Sequence, residues 1–208
     1  DKKPAMRGLD HDPHCHEFSH GHGGVVSDAW IVRRLRTHFR NALKSVKFDC
    51  KRVYLELYAG AKGVTGALRK DGCAVIAFEI DDGPEFDLTR ACVHQTILGW
   101  ISGGCVAVVF LGTQCSSWSR ARRGPPGAGW CAIRSNTCIL GLPNLPDRDV
   151  AKIKVGNLEV KYTCHIIRTC VSLCVPCMLE NPLTSMMWLH PSSISLGSKD
   201  CAEKHVFD

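Results

Sequence analysis

The sequence lacks any long uninterrupted apolar run, and no window approaches the roughly 18 residues at which a membrane-spanning helix is expected. This predicts that no helix of the chain crosses a membrane. A positively charged segment followed by an apolar one is also missing near Asp1, so we expect no secretory signal. The first residue is not methionine, which indicates a fragment or a processed product.

Charge of one sign is present only in small excess. The net charge of +6 is compatible with a nucleic-acid or nucleotide partner but does not require one. Hydrophobic residues make up 45% of the 208 residues, which is near the globular average. This excludes disorder of the whole chain and allows one domain with a tail.

Cysteine, in contrast, is abundant. The 13 cysteines are odd in number and irregularly spaced, whereas a small secreted disulfide scaffold normally has an even set in a shorter chain. We therefore expect reduced thiols in an intracellular compartment. Some of them would serve simply as small apolar core residues.

Residues 1–27 form a distinct first segment that combines metal-ligating side chains with Gly, Asp and Pro. Imidazole and thiolate groups suit zinc or copper, but a Gly-rich strip offers no supporting second shell of side chains. We predict a flexible His-rich tail and no metal site. The ligand-type residues are His11, His14, Cys15, His16, His20 and His22.

A basic amphipathic helix is predicted over residues 28–50. Ser27 or Asp28 can cap it, and apolar residues recur at three- and four-residue steps from Trp30 to Val46. The opposite face is basic, and two interpretations of it stay open: contact with phosphates or a solvated polar face. Its basic residues are Arg33, Arg34, Arg36, Arg40, Lys44 and Lys47.

Residues 51–208 alternate between apolar runs and helical patterns. Strands are predicted at 51–57, 74–80, 105–111 and 176–180, a short further strand at 85–88, and helices after the first glycines, at 88–102 and at about 156–174. Continuous apolar strands separated by helices predict an α/β domain. Its expected fold is a Rossmann-like, doubly wound, mostly parallel sheet with helices on both faces.

The first two strand ends carry glycines and acids, and ligands of such a sheet bind beyond the carboxyl ends of its strands. Gly60 and Gly63 follow the first strand, where glycine lets a ligand approach the backbone and a helix N-terminus favours a negative group. Glu79 ends the second strand and can accept both hydroxyls of a ribose. Together these ends predict a site for an adenosine-containing cofactor.

The other two strand ends carry a thiol and a carboxylate. Cys115 follows the third strand and precedes Arg120 and Arg122, and cationic surroundings lower a thiol pKa and make the sulfur nucleophilic. Trp118 and the arginines could also stack on a nucleobase. Glu180 follows the fourth strand and is a candidate general acid.

Taken in order, these motifs resemble the catalytic core of the S-adenosylmethionine-dependent DNA (cytosine-5) methyltransferases. The segment 57–63 resembles that family's Phe-x-Gly-x-Gly turn, and Glu79 stands at the family's acidic position. Cys115 matches the Cys of its Pro-Cys motif, and Glu180-Asn181 matches the first two residues of its Glu-Asn-Val motif.

The resemblance covers residues 51–190. Gln114, Ser116 and Pro182 depart from the family's residues at those positions. The family's C-terminal target-recognition region has no counterpart in the sequence.

The resemblance implies S-adenosylmethionine as cofactor and a nucleic-acid partner, with DNA favoured over RNA and hence a nuclear location. Implied catalytic roles are attack on carbon 6 of cytosine by Cys115, a proton or hydrogen bond to ring nitrogen 3 from Glu180, and loop positioning by Asn181. Arg120 and Arg122 would neutralise the base carbonyl or phosphates. Implied cofactor-binding residues are Tyr58, Ala59, Gly60, Gly63, Glu79, Ile80, Asp82 and Asp87.

Three alternatives stay open. The chain could be an inactive, truncated methyltransferase-like domain that binds nucleic acid or protein. It could be an amino-directed methyltransferase, although residues 112–115 lack the Asp/Asn-Pro-Pro-aromatic motif of such enzymes. A nicotinamide oxidoreductase would use the glycine turn and Glu79 but would leave Cys115 and Glu180 without a role.

Overall fold

The computed structural model describes residues 26–46, 52–119 and 131–197. Within these described ranges, four strands form one sheet: β1 (Val53–Leu57), β2 (Val75–Phe78), β3 (Val106–Leu111) and β4 (Cys177–Leu179). Their order is β2-β1-β3-β4, and every neighbouring pair is parallel. The predicted α/β fold with a Rossmann-like parallel sheet is confirmed. Residues 1–25 of the predicted His-rich tail lie outside the described residues.

Helices cover both faces of the sheet. They are α1 (Asp28–Lys44), α2 (Gly63–Lys70), α3 (Ala91–Ser102), α4 (Asp147–Ser172) and α5 (Pro191–Gly197). Because parallel strands are joined by right-handed crossovers, α2 lies on one face, and α3 and α4, which lead in the opposite direction, lie on the other. Helix α1 packs on α3. Among the described residues, no helix has the length and apolarity to cross a membrane.

Two apolar clusters result from this arrangement. The larger one joins the sheet to α1, α3 and α4, with Leu55 of β1, Ile97 of α3 and Ile167 of α4 among its members. The smaller one lies beneath the chain that follows β3 and contains Trp118, Val160, Cys164, Met186 and Met187. The loop that carries Cys115 therefore has an apolar support of its own.

Helix α1 begins where its sequence predicts but ends at Lys44 with Ser45 as its C-cap, so the predicted end at residue 50 is wrong. Ser27 is the N-cap, and its hydroxyl accepts a hydrogen bond from the Trp30 N–H at 3.3 Å. Ile31 and Leu35 are fully buried in the larger cluster. The apolar face of α1 thus belongs to the core of the α/β domain.

A buried carboxylate fixes α1 to the segment after β2. Glu85 is 3% exposed and accepts hydrogen bonds from Arg34 and His38, both at 3.2 Å. Burial raises the pKa of Glu85, but hydrogen bonds from its own backbone N–H, His38 and Arg34 outweigh this and lower it overall. Glu85 lies in a 3₁₀ turn, Pro84–Phe86, so the predicted short strand at 85–88 is wrong. Pro84 at the start of this turn lacks the N–H that a ladder needs.

The prediction for the last long helix was also wrong at its start. Helix α4 begins at Asp147, directly after Pro146, and places Gly156 in its interior. Glycine normally costs a helix interior about 1 kcal/mol. Gly156 is nevertheless required there, because α4 closely approaches the loop after β3.

Candidate active site

The four strand ends that the sequence singled out lie side by side at one edge of the sheet. Three main-chain hydrogen bonds continue the ladders beyond the strands: Ala59 N to Phe78 O at 3.0 Å, Gly112 N to Leu57 O at 3.0 Å, and Glu180 N to Leu111 O at 2.8 Å. Along this edge, Glu79 after β2 is followed by the glycine turn after β1, the Cys115 loop after β3 and Glu180 after β4. The chain adds β2 on one side of β1 and then β3 and β4 on the other, so the strand order reverses between β1 and β3, where open α/β sheets bind ligands.

The glycine turn after β1 has an unusual backbone. Tyr58, Gly60 and Lys62 adopt left-handed φ angles of 59°, 47° and 57°. Only glycine takes this conformation without cost, so Tyr58 and Lys62 are held there by their surroundings. A Cβ atom at Gly60 or Gly63 would meet nothing within 4 Å. The outer side of the turn is open to a ligand.

Glu79 connects the second strand end to this turn. Its carboxylate accepts a hydrogen bond from Gly60 N at 2.7 Å and one from Ile80 N at 3.0 Å. The structure thus brings together Glu79 and the glycine turn, as the sequence predicts. Ile80 is 38% exposed beside them, and Ala59 is buried below.

The two aspartates proposed for the cofactor have different surroundings. Asp82 lies at the surface and pairs with Lys62 across the mouth of the turn, at 2.5 Å. Asp87 accepts hydrogen bonds from the N–H and hydroxyl of Thr89, at 2.9 and 2.6 Å. The charge of Asp87 also contributes to raising the pKa values of Tyr58 and Glu159.

A further carboxylate at this edge was missed by the sequence analysis. Glu56, inside β1, is buried and accepts a hydrogen bond from Thr65 N in the first turn of α2 at 2.7 Å. A carboxylate stabilises the free N–H groups and positive dipole of a helix start. Glu56 therefore fixes α2, and with it the turn. A charged residue inside an apolar strand was the available signal.

The loop after β3 exposes the Cys115 thiol, and hydrogen bonds hold the loop in place. Cys115 is exposed, and its carbonyl accepts a hydrogen bond from Trp118 N at 2.9 Å. Asn181 donates a side-chain hydrogen bond to the Thr113 carbonyl at 2.6 Å. The Thr113 hydroxyl in turn bonds that of Thr163 on α4 at 2.8 Å. The loop-positioning role expected of Asn181 thus has a contact that can perform it.

Glu180 is exposed at the end of β4, on the strand adjacent to the thiol loop. Arg120 and Arg122 lie outside the described residues, so the predicted cationic surroundings of the thiol are not part of the described site.

Trp118 does not have the role that the sequence suggested for it. Its ring is completely buried, with the Arg134 guanidinium 3.4 Å from the ring centroid, so it cannot stack on a nucleobase. A tryptophan beside exposed polar residues resembles a stacking platform in sequence. Its cover, Arg134, comes 16 residues later, which no local pattern indicates.

Arg134 is the second residue that the sequence analysis missed. It is 2% exposed and donates hydrogen bonds to the carbonyls of Ser117 at 3.1 Å, Ile139 at 2.6 Å and Ile153 at 3.2 Å, and to Asn157 Oδ1 at 2.7 Å. Burial lowers its pKa to about 10, so it stays protonated at neutral pH. Arg134 joins the end of the thiol loop to α4.

Gly156 makes this junction possible. A Cβ atom there would lie 2.3 Å from the Ser117 hydroxyl oxygen, 3.2 Å from Arg134 Nη2 and 3.3 Å from Trp118 Nε1. Only glycine permits such an approach of α4 to the loop, which explains its place in a helix interior.

Helices α3 and α4 pack on each other and carry buried polar groups. His94 stacks on Tyr162 with ring centroids 3.9 Å apart, and burial, with the neighbouring His165, lowers the pKa of His94 to about 4. Burial, with the charge of Glu159, raises the pKa of Tyr58 above its usual range. Glu159 has its own pKa raised to about 8, by burial and then by the charge of Asp87.

Known proteins add nothing to this description. No protein family, curated protein or solved structure matches the chain.

The pKa of Glu159 leads to a prediction about stability. An unfolded glutamate titrates near about 4.3, so from there to about pH 8 only the folded state keeps the Glu159 proton. The contribution of this proton to the free energy of unfolding is fully present below the pKa of the unfolded state. It is lost as pH rises through the pKa of the folded state, by up to about 1.4 kcal/mol per pH unit. We expect Glu159→Gln to gain about 2 kcal/mol relative to the parent protein between pH 5 and pH 7.

Urea denaturation of both proteins at the two pH values measures this difference. His94 and His190, whose pKa values burial lowers to about 4, act in the opposite direction but are common to both proteins. The exposed Asp71→Asn is the control and should show no such change. A constant difference between Glu159→Gln and the parent would contradict the assigned protonation.

Proposed function

We propose that the protein transfers a methyl group from S-adenosylmethionine to a nucleic-acid base, most specifically to carbon 5 of cytosine in DNA, through a thiolate adduct of Cys115. One observation carries this proposal: an exposed thiol, a carboxylate and a glycine turn closed by an acid lie on adjacent strand ends at the ligand-binding edge of a parallel sheet. Each feature alone is common. Their order along one edge is what the proposed chemistry requires.

The cofactor would bind at the turn between Tyr58 and Gly63. This position has the required openness, because nothing occupies the space next to Gly60 or Gly63. Glu79 uses each carboxylate oxygen for one main-chain hydrogen bond, and each oxygen retains a second acceptor position for a ribose hydroxyl. The exposed Ile80 side chain offers an apolar contact for the adenine, with Asp82 or Asp87 as polar partner.

The chemistry would proceed on the flipped-out base. The Cys115 thiolate forms a bond to carbon 6 while Glu180 donates a proton to nitrogen 3, and the ring becomes an enamine that is electron-rich at carbon 5. A bound S-adenosylmethionine supplies the methyl group that carbon 5 accepts. Loss of the carbon 5 proton to water then expels the Cys115 sulfur as thiolate, and return of the nitrogen 3 proton to Glu180 restores the neutral aromatic ring. Asn181, through Thr113, would hold the loop in place during attack.

Binding of the cofactor is the first test. We expect calorimetry to detect micromolar binding of S-adenosylmethionine to the parent protein and at least a tenfold loss in Glu79→Ala, because the ribose acceptor and the bond to Gly60 both disappear. Asp81→Ala is the matched control, since Asp81 is an exposed acid two residues away. Absence of binding at millimolar cofactor, or equal losses in both variants, would refute the cofactor site.

One observation favours a second candidate function, a methyltransferase-like domain that binds its partner without turnover. Glu79 already satisfies two main-chain donors, so the turn is complete without a ligand. This candidate predicts binding of DNA with no methyl incorporation under any condition. A radiolabelled methyl-transfer assay separates it from the first.

A further inference from the structure

The solvent-facing side of α1 carries an unbroken row of cations. Arg33, Arg36, Arg40 and Lys44 follow one another at steps of three, four and four residues, which places them on one side of a helix. All four are exposed. Within the part of the chain that the structure describes, none of them takes part in an ion pair. We call these four residues the α1 row.

Three of the other polar side chains of α1 are already engaged. Arg34 and His38 bind Glu85, and Asp28 pairs with Arg90 of α3 at 3.0 Å. These contacts, together with the buried Ile31 and Leu35, fix the rotation of α1 about its own axis. The outward direction of the α1 row therefore follows from the packing of the domain.

The same packing distinguishes between a lipid surface and an anionic partner that is bound through its phosphate charge alone. A basic amphipathic helix binds a lipid surface by inserting its apolar face between the headgroups. The apolar face of α1, with Ile31 and Leu35, is in the protein core and unavailable for insertion. Only the charged face remains, and this favours a partner that is recognised by phosphate charge alone.

The α1 row also has a defined position relative to the candidate site. Arg90, at the N-terminus of α3, donates hydrogen bonds to Val26 O and to Asp28 of α1. Because α3 starts at the carboxyl edge of the sheet and returns toward the other edge, α1 starts at that carboxyl edge too. The row begins beside the crevice and runs along the flank of the domain.

We propose that the α1 row is a docking surface for the phosphodiester backbone of a nucleic acid. Eleven residues separate Arg33 from Lys44, a rise of about 16 Å, which spans about five phosphates of one strand at about 3.4 Å each. Three of the four cations are arginine, whose guanidinium fork matches phosphate oxygens. The contacts are to the backbone, so they give affinity and orientation and no sequence preference.

This inference shares with the proposed function only the nucleic-acid partner. The α1 row contains none of the proposed catalytic or cofactor residues. Binding of DNA by the α1 row can therefore be measured without cofactor and without turnover, and it can succeed even where methyl transfer fails.

The test compares two variants with the same charge. In the first, Arg33, Arg36, Arg40 and Lys44 become glutamine; in the control, the exposed residues Arg69, Lys70, Lys152 and Lys154 become glutamine. Each set removes four positive charges. Fluorescence anisotropy of a labelled DNA duplex is recorded between about 50 and 200 mM salt, where the slope of log affinity against log salt counts phosphate contacts.

We expect the α1-row variant to lose about 100-fold in affinity and about two to four units of that slope, at about 0.9 per contact. The control should stay within about threefold of the parent. A charge-preserving variant with Arg33, Arg36 and Arg40 changed to lysine should retain the slope, which separates lost charge from a damaged helix.

Three results would overturn the proposal. Equal losses in the α1-row variant and the control would show that net charge alone governs binding. An unchanged slope in the α1-row variant would show that DNA binds elsewhere. Loss of binding to phosphatidylserine vesicles with full retention of DNA binding would assign the row to a lipid surface.

Discussion

Replacing Cys115 by alanine is expected to lower methyl transfer to cytosine-containing DNA by about 1,000-fold or more, while S-adenosylmethionine binding stays unchanged. The reason is chemical: without the thiolate no bond forms to carbon 6, and carbon 5 never becomes nucleophilic. Cys115 is exposed, so its side chain contributes little to the core and the variant should fold normally. Incorporation of a labelled methyl group measures the first effect and calorimetry the second.

Other exposed thiols supply the control. Cys131 and Cys174 are exposed and free, like Cys115, but neither follows a strand end at the active edge. Alanine at either position should leave methyl transfer within about twofold of the parent protein. DNA containing 5-fluorocytosine should trap a covalent complex with the parent and none with Cys115→Ala, because the fluorine cannot leave as a proton does. Full activity of Cys115→Ala would refute the thiolate mechanism.

Replacing Arg134 by alanine is expected to lower the free energy of unfolding by about 3–5 kcal/mol. The substitution removes the guanidinium that satisfies the carbonyls of Ser117, Ile139 and Ile153, and it uncovers the buried face of Trp118. Buried acceptors left without a donor account for most of the expected loss. Urea denaturation followed by tryptophan fluorescence measures it.

Two further variants make this prediction specific. Arg168→Ala removes an arginine of α4 that donates a hydrogen bond to the Ser192 carbonyl at 3.2 Å, and should cost only about 1 kcal/mol. Gly156→Ala keeps Arg134 but places a methyl group 2.3 Å from the Ser117 hydroxyl, and should cost about 1–3 kcal/mol. If Arg134→Ala were no more destabilising than Arg168→Ala, the junction between the loop and α4 would not be a major source of stability.

The sheet and the edge that carries the candidate site could be predicted from the sequence, because the sequence patterns that indicate them are local. Each strand is a short apolar run, and Glu79, Cys115 and Glu180 each stand just beyond one. Parallel strands bring such positions to one edge whatever their order. The sequence therefore indicated which residues would lie at the same edge of the sheet, although the hydrogen bond from Gly60 to Glu79 is visible only in the structure.

The supports of the site could not be predicted, because they join residues that are distant in sequence. Arg134 covers Trp118, and Gly156 makes room for both, yet each looks ordinary in its own segment. From sequence alone, Gly156 resembled the start of a helix, because glycine lowers the local stability of α4. The reason for it is the close contact with Ser117, which is distant in sequence. Pairwise contacts of this kind leave no periodic signal in a single sequence.

The order of the strands in the chain has a consequence for folding. β1 and β2 form an early, nearly local unit, whereas β4 joins the sheet only after the 26 residues of α4. Asn181, which anchors the Cys115 loop through Thr113, is synthesised well after that loop. Pairings between distant segments form slowly because their loops must close first. A ribosome-bound chain thus carries Cys115 for some time on an unanchored loop, which is held in place only when β4 docks.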